Sequence, residues 1–152
     1  LGEGLPIIER AVDRAIGALA AEAVGVMDKI NALTLDYSKN RQQFGRAIGE
    51  FQVVQHRMTD MLMETEQARS MAQIAAMTLD RDDDARAREL AGVKARLGKA
   101  GRFVGQESIQ LHGGMGMTDE LVIGHYYKRL SMCESLFGDA DWYLRQLANQ
   151  LD

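Results

Sequence analysis

Apolar residues recur along this chain at steps of three and four and nowhere alternate, a pattern that predicts helices and no strand. Residues 1–5 read as a loop, with Pro6 in a first helical turn where its missing N–H costs nothing. Ile8, Val12, Ala15, Leu19, Ala23, Val26, Ile30, Leu33 and Tyr37 then mark one face of a long helix ending near Arg41. Gly17 and Gly25 inside it cost about 1 kcal/mol each against alanine, so they point to close helix–helix approach or a bend. Residues 44–49, with two glycines, form a connector. A second helix carries Val54, Met58, Met61, Thr65, Ala68, Ala72, Ala75 and Leu79, and the acidic run 80–84 breaks it. Asp82 to Asp84 suit the N-terminus of a third helix, whose face is Leu90, Val93, Leu97, Ala100, Val104 and Leu111. After the glycine-rich stretch 113–117, Thr118, Asp119 and Glu120 are placed to cap a shorter helix through roughly Ser131. Gly138-Asp139 marks another break, with Asp139 or Asp141 opening a last helix that ends near Leu151.

Residues 1–152 are therefore expected to form one all-α domain, an up-and-down four-helix bundle. Composition agrees: hydrophobic residues make up 46 % and charged ones 26 %, aromatics are few, and alanine and methionine are frequent. A formal charge of −4 argues against nucleic acid, which needs a basic face. No apolar run reaches the length of a membrane span. The single cysteine, Cys133, cannot form an internal disulfide, which fits a cytoplasmic setting. The chain opens on Leu1 with a helix almost at once and reads as a piece of a longer protein.

Zinc, hydrolase and P-loop patterns are missing, and His56, His112 and His125 have no ligand spacing, so each is expected to be a surface or packing histidine and no metal is expected. Two segments ask for more than packing. In Arg41-Gln42-Gln43-Phe44-Gly45, followed by Phe51-Gln52, a guanidinium at a helix end could meet a phosphate and a ring could meet a flat cofactor. The plainer alternative is an arginine easing the helix dipole and a phenylalanine plugging the bundle end. In Gln110-Leu111-His112-Gly113-Gly114-Met115-Gly116 the glycines allow close approach to a ligand, or simply a tight turn.

Together these segments resemble the acyl-CoA dehydrogenase family. The matching pieces are residues 37–45, residues 48–52 (Ile-Gly-Glu-Phe-Gln) and residues 109–116, in order and at the right separations over nearly the whole chain. The resemblance is to the family's C-terminal four-helix domain, with the preceding helical and β domains outside this sequence. It implies FAD as cofactor, with Arg41 at the pyrophosphate of a neighbouring subunit, Phe44 and Gln52 against the same cofactor, and Gln110, Leu111, His112, Gly113 and Gly114 along its adenosine portion. It also implies dimers or tetramers, an acyl-CoA substrate, and an electron-transferring flavoprotein or similar acceptor.

The family's base is usually a glutamate in a Tyr-Glu-Gly-Thr segment after the glycine motif. In the same register that segment falls on Leu136-Phe137-Gly138-Asp139, and Phe137 stands at the glutamate. Members that carry the base on the first long helix place it at Ala15, which is no acid either. The favoured explanation is a subunit that builds the FAD site for a catalytic partner, similar to the small-subunit type of heteromeric acyl-CoA dehydrogenases. The alternatives are a displaced acid, with Asp139, Asp141 or Glu134 nearest, or a flavoprotein that does not dehydrogenate. For Asp139, helix capping is the simpler role. Two other classes stay open: a helical oligomerisation domain without a ligand, and an acyl-CoA-binding module without chemistry. The fragment alone is expected neither to retain FAD nor to catalyse.

Overall fold

The computed structural model describes residues 4–81, 83 and 85–149. Helices α1 (Gly4–Asn40), α2 (Gln52–Thr78) and α3 (Ala85–His112) are long, and α4 (Ile123–Ser135) and α5 (Ala140–Ala148) are short. Helix α1 already includes Gly4 and Leu5, two residues earlier than Pro6 predicts. The three long helices alternate in direction. Gly17, early in α1, lies against Leu79 at the end of α2, while Asp13 pairs with Arg86 at the start of α3. At the other end Tyr37 of α1 meets His112 of α3. Helix α4 runs back along α3, with Tyr127 against Gly105 and Leu130 against Gly101, and α5 carries on with Ala140 against Gly98. The expected four-helix bundle is therefore present, with its fourth arm broken into α4 and α5.

The central element is α3. Leu90, Val93, Leu97, Ala100 and Val104 are buried as their spacing predicts, and Ala91, Ala95, Gly98, Gly101 and Gly105 are buried as well. Helix α2 buries Met61, Thr65, Ala68 and Ala75 on its predicted face. Helix α1 departs from expectation. Ala23 and Ile30 of the predicted face are buried, but the rest of the buried line, Ile16, Ala20, Val24, Met27, Thr34 and Ser38, lies about one residue round from that face, and Ile8 is exposed. One step is about 100°, so the predicted positions become the flank of a broad apolar stripe. Gly17 is a point of close approach, since a Cβ there would lie 2.6 Å from Leu79 Cδ1, whereas Gly25 has nothing within 4 Å.

Helix ends supply three further corrections. The chain does contain strands: Gln42–Gln43 (β1) and Arg46–Ala47 (β2) pair antiparallel, Gln42 opposite Ala47. Thr118 does not cap α4; its hydroxyl donates to the Met115 carbonyl at the end of a 3-10 turn, and α4 begins only at Ile123, without a side-chain cap. Asp119 and Glu120 lie in the loop between. Helix α4 also runs past Ser131 to Ser135, and α5 ends at Ala148. The acidic cap of α3 is met by Asp83, whose Oδ1 accepts from the Arg86 N–H at 3.1 Å. Asp82, Asp84 and Leu151 lie outside the described residues.

Candidate functional site

Both sequence motifs sit at one end of the bundle, because α1 and α3 run the same way and finish together. The Tyr37 ring stacks on His112 with centroids 4.3 Å apart, and its hydroxyl donates to the His112 carbonyl at 3.4 Å. One helical turn after Tyr37, the Arg41 N–H closes α1 by donating to the Tyr37 carbonyl, and the Arg41 carbonyl accepts from the Ile48 N–H. A single aromatic side chain thus ties the arginine end of α1 to the residue that precedes Gly113.

Arg41 is exposed and its guanidinium pairs with no acid among the described residues. Beyond it the hairpin turns at Phe44-Gly45 with φ of +54° and +79°, a turn that needs both central residues in the left-handed region. Glycine adopts this freely, whereas phenylalanine pays about 1–2 kcal/mol. The strained Phe44 is also 92 % exposed, which is unusual for a ring of that size. It meets Phe51 edge-on at 6.2 Å, and the Arg46 guanidinium lies 4.1 Å over the Phe51 ring. Gln52 is exposed as the first residue of α2. Gly49 lets this connector rest on α1, since a Cβ there would stand 3.1 Å from the Ser38 carbonyl oxygen.

On the α3 side, Gly113 has φ +60°, and a Cβ at Gly113 or Gly114 would meet nothing within 4 Å, so both glycines border open space. Gly116 is needed for compactness, because a Cβ there would come within 2.8 Å of the Ile109 carbonyl oxygen. An open cavity of about 430 Å³ lies alongside, lined by Gln106, Gln110, Met117, Tyr127 and Lys128 among others. Gln110 thus faces a cavity and Leu111 packs on the core. The ring of His112 is buried, with Nδ1 2.8 Å from the Ser108 carbonyl oxygen, and serves the turn by packing rather than by presenting a side chain.

Burial holds the His112 pKa below the ordinary histidine value, against the pull of its bond to Ser108. Between that depressed value and about 6.5 the unfolded chain takes up the proton that the folded chain refuses. The His112 contribution to stability is therefore full above about pH 6.5 and is lost as pH falls through the folded value. The melting temperature of the domain is expected to fall between pH 7 and pH 5, and His112→Gln is expected to flatten that slope. An unchanged slope in the variant would show that His112 titrates normally.

The region of the missing base is equally well defined. Leu136 ends α4 in an extended conformation; Phe137 and Gly138 follow with φ of +60° and +102°. Glu134 is engaged by Arg102. Asp139 is the N-cap of α5, its Oδ1 accepting from the Trp142 N–H at 2.7 Å, and Asp141 is exposed in the first turn. Ala15 is half-buried on α1. Sequence reasoning missed one conspicuous residue here. Lys94, only 2 % exposed, donates from Nζ to the Glu134 and Gly138 carbonyls, both at 2.6 Å. Burial lowers its pKa, while the nearby charges of Glu134 and, more weakly, Asp139 oppose that shift. The available signal was its register: Lys94 falls four residues after Leu90, on the apolar face of α3. Among the described residues, no group of histidines, cysteines and acids could hold a metal, and no helix is long and apolar enough to cross a membrane.

A profile for the acyl-CoA dehydrogenase C-terminal domain matches residues 2–151, and the chain belongs to that family. It is 36 % identical over 135 residues to the acyl-CoA dehydrogenase IpdE2 of Mycolicibacterium smegmatis, covering 89 % of this chain and 42 % of that protein. Among solved structures it matches a variant of the Tcur3481-Tcur3483 steroid ACAD with a TM-score of 0.86 and 29 % identity, covering 92 % of this chain and 38 % of that one. It also matches PigA with FAD and proline, with a TM-score of 0.80 and 31 % identity over 90 % of this chain and 36 % of PigA. The chain thus spans less than half the length of these relatives.

Proposed function

We propose that this chain is the C-terminal helical domain of an FAD-dependent acyl-CoA dehydrogenase, whose N-terminal helical and β domains complete the protein. The whole assembly oxidises an acyl-CoA thioester to the 2-enoyl-CoA and passes electrons to an electron-transferring flavoprotein or a similar acceptor. The observation that carries this reading is the Tyr37–His112 junction, which brings an arginine with no acidic partner among the described residues, an exposed strained aromatic and an open glycine turn to one end of the bundle. These groups suit the charged and flat parts of FAD. The cofactor, when bound, supplies the acceptor for the substrate hydride.

Arg41 offers a charge-assisted contact to the pyrophosphate of a neighbouring subunit's cofactor. Phe44 and Gln52 flank the same molecule, and Gln110, Leu111, Gly113 and Gly114 line its adenosine portion, with His112 fixing the turn from beneath. Dimers or tetramers follow from such contacts, and the setting proposed is the cytoplasm. This chain further acts as the subunit that lacks the base. Phe137 cannot accept a proton, Ala15 carries no acid, Glu134 and Asp139 are spent on Arg102 and a helix cap, and Asp141 is exposed in the first turn of α5, where an acid suits the helix dipole. The two-part designation of the Tcur3481-Tcur3483 ACAD fits such a division of labour.

The test is to purify the full-length protein with and without its partner and follow the flavin band as acyl-CoA thioesters are added. Yellow protein in both preparations, bleached only when the partner is present, is the expected result. Colourless protein in both would remove the flavoenzyme reading; bleaching by this protein alone would remove the division of labour.

A further inference from the structure

We draw no further inference here: the strongest candidate, the outward face of α2 on which Met63, Ile74 and Met77 lie exposed opposite the buried Met61, Thr65, Ala68 and Ala75, carries nothing because nothing in the structure shows what covers it.

Discussion

Arg41→Ala in the full-length assembly is expected to weaken FAD retention about 10- to 150-fold, the loss of one hydrogen-bonded charge worth about 1.5–3 kcal/mol. The residue is exposed at the end of α1 and has no acidic partner among the described residues, so its removal leaves no buried group unsatisfied. The thermal stability of the bundle should therefore stay within about 0.5 kcal/mol of wild type. Arg41→Lys should recover only part of the affinity, because a single ammonium cannot reproduce a two-pronged contact with phosphate. The measurement is the ratio of flavin to protein absorbance after gel filtration at a series of FAD concentrations. Full retention by Arg41→Ala would take the arginine out of the cofactor site. The alternative role, easing the α1 dipole, predicts the reverse outcome: a small stability loss with FAD unaffected.

Gly105→Val is expected to lower the melting temperature by about 5–10 °C, corresponding to roughly 2–3 kcal/mol of overpacking. Two effects compete at this position. Helix propensity alone favours almost any side chain over glycine, by up to about 1 kcal/mol. Against it stands the approach of α4: a Cβ at Gly105 would lie 2.6 Å from Tyr127 Cδ2, in a contact buried between two helices. The clash is the larger quantity and decides the sign. Gly92 serves as the control, because it lies in the same helix with nothing within 4 Å of its Cβ position. Gly92→Ala should raise stability by about 0.5–1 kcal/mol. Removing the obstructing ring in a Gly105→Val/Tyr127→Ala double variant should cost less than the two single changes added together. Simple additivity would mean that α3 and α4 do not meet there.

The agreement between sequence and structure is uneven in an instructive way. On α2 the predicted face is the buried face: Met61, Thr65, Ala68 and Ala75 are buried, while the apolar Leu62, Met63, Ile74 and Met77 beside them are exposed. On α1 the apolar and small residues cover more than half the circumference, so two lines one residue apart satisfy the same spacing rule and periodicity alone does not separate them. The hairpin at residues 42–47 went unseen because strands of two residues carry no alternation to detect. The Phe44-Gly45 turn was visible only as a glycine, since nothing local says that a phenylalanine will adopt positive φ. At the site, Arg41, Phe44 and the glycine turn were legible as residue types that packing does not require. Lys94 was not, because a lone lysine on an apolar face usually reaches round to solvent.

By itself the sequence determined the helical class, the order of the helices, the two motifs at the ends of α1 and α3, and the absence of a carboxylate at Phe137. These are local properties, written in periodicity, in glycine placement and in side-chain chemistry. Only the tertiary structure decided which line of α1 faces inward, that Tyr37 joins the two motifs, and that Lys94 and Tyr143 hold the turn around Phe137. Each of those facts depends on residues tens of positions apart in the chain, and burial is settled by whatever neighbour the fold delivers, not by the spacing of apolar residues within one helix.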